Sequence, residues 1–334
     1  MQQFDLAVLV GGFAPLDIAQ RAALQAALVA ARRVVALVGS HEAARSLRHP
    51  WTSAERGKML RAAFDEAENA RLDLVPVRDR LYNPHQWLRG AQEALAAVQA
   101  AGARVVQIAL AGRCAPLQPD WSVLRMEPAD APDFWTVRHG VFGDAAEAAA
   151  LEARLPPSTV AFLRQFRTSP EFEALADELR TIERFKDSWR RAPYPPVLVT
   201  TDAVVACAGH LLLVRRAHAP GKGLWALPGG FVDQEETLLE GCLRELREET
   251  GLALARGALE SVLCGDHVFD APHRSLRGRT ITHAYAFTLS DGELPRVAGG
   301  DDAADARWVP LARFHAMEPE MFEDHFHIAR FFLG

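Results

Sequence analysis

Cysteine is scarce in this sequence, and the few cysteines lie far apart. The chain of 334 residues has only four, none with the C-x-x-C spacing: Cys114, Cys207, Cys242 and Cys264. Paired cysteines are typical of zinc sites, and a high cysteine content is typical of small secreted domains that disulfides stabilise. The sequence therefore argues against a cysteine zinc site and against a disulfide framework, and it favours reduced, buried thiols.

The sequence also lacks an excess of positive charge and a long apolar run. Lys and Arg total 37 against 43 Asp and Glu, which gives a formal net charge of -6. Proteins that coat nucleic acid derive most of their affinity from clustered Lys and Arg, so we expect a small-molecule substrate and no nucleic-acid partner. The first apolar run, Leu6 to Val10, is too short for a membrane span or a signal peptide. We therefore expect a cytoplasmic protein with no membrane partner.

The composition is otherwise that of a folded protein with more than one core. Hydrophobic residues make up 49% of the chain and charged residues 24%, which excludes a disordered class. The length favours two domains. In the first half, alternating strand and helix patterns predict an α/β domain whose parallel sheet is covered by helices on both faces. The predicted strands are Phe4 to Val10, Val34 to Gly39, Leu72 to Val77 and Arg104 to Ala111, and the predicted helices lie near Ile18 to Arg32, Thr52 to Ala70 and His85 to Ala101.

A proline-rich turn separates the two halves. After a polar helical stretch, Pro193, Pro195 and Pro196 exclude further helix. We expect domains at residues 1–185 and 186–334, the second of the α+β class. Its predicted strands are Val197 to Ala206, His210 to Arg215, Ile281 to Leu289 and Ala306 to Val309, and its predicted helices are Thr237 to Thr250 and Glu323 to Phe332.

The helix Thr237 to Thr250 carries three glutamates on one side. Glu245, Glu248 and Glu249 stand at positions i, i+3 and i+4, which brings their carboxylates to one patch in the last turns. The helix dipole disfavours anions there, and each like-charged pair costs roughly 0.2 to 0.5 kcal/mol in an isolated helix. A bound hard cation removes this conflict, and Mg²⁺ is the usual one where phosphates complete its ligand shell. The cluster therefore predicts a Mg²⁺ site that could also accept Mn²⁺.

The ends of this helix and its basic residues have simpler explanations. Asp233 followed by Glu236 resembles a capping box, and Gly251 is a typical C-terminal stop. Arg244 and Arg247 leave an alternative open, in which mixed acidic and basic residues form only a solvated face.

The spacing around the glutamates matches a known signature. Gly230 is followed after five residues by Glu236, and after seven more by the run R-E-L-R-E-E-T-G-L from Arg244 to Leu252. Every fixed position of the signature that defines the Nudix hydrolases is present, so the chain is identified as a member of that family. The resemblance implies an α/β/α sandwich with a mixed sheet for the second domain.

The Nudix resemblance also implies roles for residues of the motif. The implied metal ligands are the side chains of Glu245, Glu248 and Glu249 and the backbone carbonyl of Gly229, while Arg244 orients the carboxylates. The implied reaction is attack of a metal-activated water on one phosphorus of a pyrophosphate bond. The base is either Glu245 or an acid of a later loop. Asp301 and Asp302 are candidates, although paired acids in a glycine-rich turn are as often turn formers.

A loop ahead of a predicted strand carries three arginines. Arg274, Arg277 and Arg279 can pair with phosphates or sugar hydroxyls, while Phe269 can stack on a base. We therefore expect these four residues and Asp302 to bind the substrate. The alternative for each arginine is a solvated basic loop.

Flanking segments narrow the resemblance within the family. Leu224 to Gly230 and Phe322 to His325 are similar to the Nudix half of bifunctional nicotinamide mononucleotide adenylyltransferase/ADP-ribose pyrophosphatases. That subgroup hydrolyses ADP-ribose to AMP and ribose 5-phosphate, and the resemblance also implies a homo-oligomer. Dinucleoside polyphosphates, NADH and sugar nucleotides stay open as substrates, because the motif specifies only the bond that is cleaved. A non-catalytic ADP-ribose sensor is disfavoured because the acidic helix is complete.

The N-terminal half resembles a Rossmann-like adenylyltransferase that has lost part of its active site. Adenylyltransferases of this kind have G-R-F-x-P-x-H-x-G-H, in which two histidines bind phosphates, whereas Gly11 to Gln20 here is G-G-F-A-P-L-D-I-A-Q. Both histidines are absent, and Asp17 places a negative charge in the segment. The segment Gly112 to Pro116 also departs from the basic motif of these enzymes. We predict a retained fold without adenylyl transfer; a bifunctional enzyme is the alternative. Arg138 is either the remnant of a nucleotide-binding motif or, as we favour, a surface arginine.

Overall fold

The chain forms two compact units. The computed structural model describes residues 3–110, 117–126, 131–253, 262–289 and 292–334. The units are Met1–Leu179 and Arg180–Gly334. The division falls inside the helix Pro170–Ser188, which also contains the predicted limit between residues 185 and 186. None of the described helices is both long enough and apolar enough to cross a membrane.

The first unit alternates strands and helices. Its described strands form a parallel sheet in the order β3-β2-β1-β4-β5. In chain order the elements are β1 (Phe4–Gly11), α1 (Ile18–Ala30), β2 (Ala31–Val38), α2 (Ser53–Arg61), α3 (Glu66–Asn69), β3 (Leu72–Pro76), α4 (Pro84–Ala96), β4 (Val105–Leu110), β5 (Ser122–Met126), α5 (Phe134–Phe142), α6 (Ala145–Glu152), α7 (Pro157–Phe166) and α8 (Pro170–Ser188), the last of which continues into the second unit.

Helices cover both faces of this sheet. Leu9 of β1 packs in one buried cluster with Leu24 of α1, and the adjacent Val8 packs in another cluster with Leu95 of α4. Successive side chains of a strand point to opposite faces, so the two clusters are the two sides of one sheet. The predicted α/β architecture of the first half is confirmed.

One predicted helix of the first unit is divided. The helix expected near Thr52 to Ala70 is observed as α2 and α3, because Asp65 starts a new helix by accepting a hydrogen bond from the Glu68 N–H at 2.8 Å. An Asp followed three residues later by a Glu is a start signal, and the apolar periodicity that continues across the turn obscured it.

The second unit is built on a mixed sheet. Its sheet runs β10-β11-β6-β7-β12, with β8 on β7 and β9 on β6, and β6 is parallel to β11 while the other pairs are antiparallel. The elements are β6 (Val197–Cys207), β7 (His210–Arg216), β8 (Trp225–Ala226), β9 (Gly229–Phe231), α9 (Leu238–Thr250), β10 (Leu263–Phe269), β11 (Arg279–Thr288), β12 (Ala303–Pro310), α10 (Leu311–Phe314) and α11 (His325–Leu333).

Helices α9 and α11 lie on opposite faces of this sheet. Leu246 of α9 is buried in one cluster with Tyr285 of β11. On the other face, the ring of Phe331 in α11 contacts the ring of Phe269 in β10, with centroids 5.3 Å apart. The implied α/β/α sandwich with a mixed sheet is confirmed.

The described cysteines are free thiols and only partly match the expected burial. Cys207 and Cys242 are buried, whereas Cys264 is exposed. Cys264 lies on β10, the last strand in the order of the sheet, where a side chain can face solvent. Cys114 lies outside the described residues.

Candidate active site

Helix α9 begins and ends at well-defined caps. The Thr237 hydroxyl accepts a hydrogen bond from the Glu240 N–H, and the Glu240 carboxylate accepts one from the Thr237 N–H. The predicted capping box of Asp233 with Glu236 is therefore wrong, because the helix begins after Thr237. The Asp233 N–H does donate to Glu236 Oε1 at 2.8 Å, but this bond lies in the loop before the helix. Gly251 ends the helix with a φ of 72°, as predicted.

Two glycines bring β9 close to the strand and the helix on either side of it. β9 pairs with β6, so that Gly229 lies opposite Asp202 and Gly230 lies opposite Thr201. A Cβ atom at Gly229 would lie 2.1 Å from the Thr201 carbonyl oxygen, and one at Gly230 would lie 2.6 Å from Glu245 Oε1. A side chain at Gly229 would clash with the backbone, and one at Gly230 would displace the Glu245 carboxylate, so glycine at both positions lets β9 lie directly against the glutamates of α9.

Arg244 connects the glutamates to each other and to the loop. Its Nη1 atom donates to Glu245 Oε1 at 2.9 Å and to Glu248 Oε2 at 3.0 Å. Its Nε and Nη2 atoms donate to Glu236 at 3.0 and 2.7 Å, and Nη2 also donates to the Phe231 carbonyl at 3.0 Å. The bonds to Glu236, followed by those to the other acids, raise the pKa of Arg244. These contacts are the ones expected of a residue that orients carboxylates.

Glu249 is the buried member of the cluster. Its residue exposure is 7%, and its Oε2 atom accepts a hydrogen bond from the Gly229 N–H at 2.9 Å. Burial, aided by the carboxylates of Glu245 and Asp202, raises the pKa of Glu249 to about 8. Burial also raises the pKa of Glu245, and Glu248 adds repulsion. Two of the three acids are therefore held where their negative charge is unfavourable.

The described residues do not form a preassembled metal site, but their chemistry fits one. No three His, Cys, Asp or Glu side chains among them are grouped closely enough to hold an ion. Glu245 and Glu248 are bonded to Arg244, while Glu249 is bonded to the Gly229 N–H. The donors are carboxylate oxygens, which hard divalent cations prefer, and a cation would offset the burial and the mutual repulsion of these acids.

Two of the expected substrate-binding residues lie in the protein interior. The Nε and Nη2 atoms of Arg274 donate to the two carboxylate oxygens of Asp324 at 2.9 and 2.8 Å, and the Arg274 side chain is 3% exposed. Phe269 is 1% exposed and packs against the rings of His267 and Phe331. The geometry favours a structural role for both residues over the predicted substrate contacts, because the guanidinium is already paired and the ring is covered.

The other expected substrate-binding residues are more accessible. Arg277 lies over the Phe231 ring, with its Cζ atom 5.2 Å from the ring centroid, and so is close to the end of β9. Arg279 binds a backbone carbonyl of its own loop. The Asp302 side chain is 76% exposed and lies 3.9 Å from His218. Of the three, Arg277 is the one that the structure places beside β9.

Sequence analysis missed three polar residues near the glutamates, namely Asp202, Arg216 and His325. Asp202 is buried, accepts a hydrogen bond from the Thr282 hydroxyl at 2.5 Å and lies 3.8 Å from the His325 ring. The Nδ1 atom of His325 accepts the Leu227 N–H at 3.1 Å, and burial lowers the pKa of His325. A single acid within an otherwise uncharged strand was an available signal for Asp202. The segment Phe322 to His325 was noted for its family resemblance, but no role was assigned to His325.

The first unit shows how the altered nucleotidyltransferase segment is arranged. Asp17 is buried and caps α1 by accepting the Gln20 N–H at 2.7 Å. The N-terminus of this helix, where a phosphate commonly binds, therefore already holds a carboxylate. The favoured surface position of Arg138 is wrong, since this residue is 3% exposed and donates to three backbone carbonyls. The segment Gly112 to Pro116 lies outside the described residues.

The chain is similar to known proteins of two kinds, Nudix hydrolases and mononucleotide adenylyltransferases. Residues 198–332 match the NUDIX domain family. An ADP-ribose pyrophosphatase of Methanocaldococcus jannaschii is 35% identical over 127 residues, which cover 38% of this chain and 68% of that protein. A nicotinamide/nicotinic acid mononucleotide adenylyltransferase of Acinetobacter baylyi is 26% identical over 185 residues, which cover 54% of this chain and 96% of that protein.

A solved structure matches nearly the whole chain. It is a bifunctional NMN adenylyltransferase/ADP ribose pyrophosphatase from Francisella tularensis, crystallised with AMP and a Mn ion. Its TM-score is 0.91 at 26% identity, and the match covers 99% of this chain and 98% of that one. The similarity to this bifunctional subgroup that the motifs implied is confirmed. The chain belongs to the Nudix family, and its second unit is a hydrolase that acts on a diphosphate bond.

Proposed function

We propose that the second unit hydrolyses ADP-ribose to AMP and ribose 5-phosphate and that it uses Mg²⁺. The observation that carries this proposal is the burial of Glu245 and Glu249 beside β9, where their pKa values are raised by desolvation and by neighbouring acids. A divalent cation bound to these oxygens would make the arrangement favourable. The similarity to proteins named as ADP-ribose pyrophosphatases supports the choice of substrate.

The proposed division of roles follows from the contacts around α9. Glu245, Glu248 and Glu249 hold the metal with the Gly229 carbonyl, and Arg244 orients two of the three carboxylates. When bound, the metal lowers the pKa of the attacking water and neutralises charge on the phosphoryl oxygens. The chain itself positions the acids and keeps Glu249 away from bulk water.

The acid that removes the proton from the attacking water is Glu245 or Asp301. Asp301 is close enough to Glu245 to raise the pKa of that carboxyl group. Asp302 is less suitable as a base because its side chain is 76% exposed and lies beside His218. Variants Asp301→Asn and Asp302→Asn compare these two aspartates as bases, and we expect the larger fall in kcat for Asp301→Asn.

A substrate panel tests the proposed reaction. ADP-ribose, a dinucleoside polyphosphate, NADH and a sugar nucleotide are each assayed with Mg²⁺ and with Mn²⁺. We expect the highest kcat/KM for ADP-ribose, no turnover by Glu249→Gln and normal turnover by the control Glu235→Gln, which alters an exposed acid ahead of α9. A kcat/KM for ADP-ribose no greater than for the other substrates would contradict the proposed specificity.

For the first unit, we infer a retained fold without adenylyl transfer. The buried Asp17 at the start of α1 supports this inference, because it is an anion at a position where nucleotide phosphates are commonly bound. The similarity to an adenylyltransferase favours the second candidate, a bifunctional enzyme. Incubation with ATP, Mg²⁺ and nicotinamide mononucleotide decides between them, since NAD formation above an enzyme-free blank would support the bifunctional enzyme.

Two further expectations become proposals with simple tests. A homo-oligomer, expected from the family resemblance, is tested by light scattering coupled to size exclusion, where a monomeric mass would contradict it. The ADP-ribose sensor remains the non-catalytic alternative. Tight binding of ADP-ribose with no turnover in the presence of either metal would favour it.

A further inference from the structure

Arg216 ends β7 on the sheet face that carries α9. Side chains alternate along a strand, so Arg216 shares its face with Leu212, while Arg215 points to the opposite face. Leu212 is buried in the same cluster as Cys242 of α9. On the neighbouring strand β12, Arg216 lies opposite Ala303. The Arg216 side chain therefore extends beyond the apolar contact of the sheet with α9, toward the end of that helix where Glu249 lies.

The guanidinium of Arg216 is held in place by its own loop. Its Nε atom donates to the Pro220 carbonyl at 2.9 Å, and its Cζ atom lies 4.2 Å from the centroid of the Phe322 ring. Phe322 is fixed in turn, since its N–H donates to the Trp225 carbonyl at 2.8 Å and its ring occupies the space above Gly221. The orientation of Arg216 is thus set by packing and by a backbone bond.

Arg216 has no ion-pair partner among the residues that the structure describes. Burial lowers its pKa, and the positive charge of Arg277 lowers it further, while the negative charges of Glu323, Glu249 and Asp302 raise it. Arg277 already has an acidic neighbour, since its Nη2 atom lies 3.9 Å from Glu323 Oε2, so Arg216 is the cation that an added anion would stabilise most. The contrast with Arg244 is clear, because Arg244 is already bonded to three carboxylates.

The charge of the proposed site shows which anion fits. A divalent cation held by Glu245, Glu248 and Glu249 leaves an excess of negative charge, and a diphosphate adds more. Arg244 does not compensate for it because Glu236 and the metal-binding acids already occupy its guanidinium. A fixed guanidinium near Glu249 supplies the missing charge, and arginine pairs with phosphoryl oxygens through two parallel hydrogen bonds.

We propose that Arg216 binds the diphosphate of the substrate at the hydrolytic site, with Arg277 as the neighbouring cation. This inference rests on the proposed function in assuming that the glutamates hold a metal ion against a diphosphate. It does not depend on ADP-ribose as the particular substrate, since the nucleoside and sugar on either side play no part in it.

Substitution of Arg216 in the full chain tests the proposal, with the adjacent Arg215 as the matched control. Arg215 donates to the Gly223 carbonyl at 3.0 Å from the exposed, opposite face. We expect Arg216→Ala to lower kcat/KM about 10- to 100-fold, the loss of one charge-assisted hydrogen bond. Arg216→Lys should recover part of this loss because it keeps the charge without the planar fork, and Arg215→Ala should remain within about 2-fold of wild type.

Calorimetric titration with methylenediphosphonate in the presence of Mn²⁺ separates this inference from the choice of substrate. We expect Arg216→Ala to weaken binding of this non-hydrolysable diphosphate about 10-fold or more, to leave Mn²⁺ binding unchanged and to regain affinity when guanidinium is added. Equal diphosphate affinity in wild type and variant would overturn the proposal, as would loss of Mn²⁺ binding in the variant, which would indicate a structural role. If wild type fails to hydrolyse ADP-ribose but its diphosphate affinity depends on Arg216, the proposed substrate is wrong and the inference stands.

Discussion

Replacing Glu249 by Gln should stabilise the metal-free second unit at pH 8 while it abolishes hydrolysis. The pKa of Glu249 in the folded protein is about 8, against 4.5 for an unperturbed glutamate. The folded unit therefore keeps a proton that the unfolded chain releases above pH 4.5. The resulting stability is complete below pH 4.5 and is lost as the pH rises through about 8.

The size of the effect follows from the pKa difference. Each pKa unit corresponds to about 1.4 kcal/mol, so ionisation of Glu249 lowers the free energy of unfolding by on the order of 5 kcal/mol between pH 4.5 and pH 8. Gln has nearly the same shape, and its oxygen can still accept the Gly229 N–H that Glu249 accepts at 2.9 Å. Because Gln does not ionise, the variant should lack this part of the pH dependence.

Urea unfolding of both proteins in EDTA, at intervals from pH 5 to pH 9, measures the difference directly. We expect the variant to be the more stable protein by several kcal/mol at pH 8 and the two proteins to converge near pH 5. Mg²⁺ at 100 times its dissociation constant should then stabilise wild type by about 2.7 kcal/mol and the variant by less. A wild-type stability that runs parallel to that of Glu249→Gln across this range, or equal stabilisation of both proteins by Mg²⁺, would refute the reasoning.

Three other substitutions test the packing around the site and in the first unit. Gly230→Ala places a Cβ atom 2.6 Å from Glu245 Oε1, so hydrolysis should fall about 100-fold with unchanged circular dichroism, and a wild-type rate would contradict the close approach. Arg274→Met leaves Asp324 buried without its partner and should cost about 3 to 5 kcal/mol in urea unfolding, most of which a second change, Asp324→Leu, should restore. Arg138→Met should lower the stability of the first unit by about 2 to 3 kcal/mol without changing hydrolysis, and unaltered urea unfolding would contradict a structural role.

The parts of the protein that sequence predicted well are those that local spacing determines. Side chains at i, i+3 and i+4 share one side of a helix, so the positions of Glu245, Glu248 and Glu249 on α9 follow from the helix alone. The separate bonds of their carboxylates, to Arg244 and to the Gly229 N–H, do not. The fixed interval from Gly230 to Arg244 places the loop against that helix. The alternation of strand and helix patterns predicted the parallel sheet of the first unit in the same way, because the apolar periodicity of each segment depends only on the residues of that segment.

The parts that sequence did not predict depend on partners far apart in the chain. Arg274 and Asp324 are 50 residues apart, and nothing in the loop around Arg274 shows that its guanidinium is already paired. Asp202 is similarly joined to Thr282 across 80 residues. Such pairs form only when strands and helices are assembled. A basic loop therefore looks the same in sequence whether its arginines bind a substrate or pair with acids from distant parts of the chain.

The ways in which arginines are satisfied argue for phosphate chemistry in the second unit and against it in the first. Arg56 donates to the Gly12 carbonyl at 2.7 Å and to the Gly39 carbonyl at 2.8 Å, just after the carboxyl ends of β1 and β2. That edge of a parallel sheet is where nucleotides usually bind, and there a cation bonded to backbone carbonyls has fewer donors left for a phosphate. Arg138 is committed to carbonyls in the same way. In the second unit, by contrast, Arg216 is oriented by the Pro220 carbonyl and the Phe322 ring and has no described carboxylate as its ion-pair partner, although the charge of Glu249 acts on it. We therefore expect the proposed diphosphate chemistry to reside in the unit that contains Arg216, where a cation fixed in advance can stabilise the charge that develops on the phosphoryl oxygens.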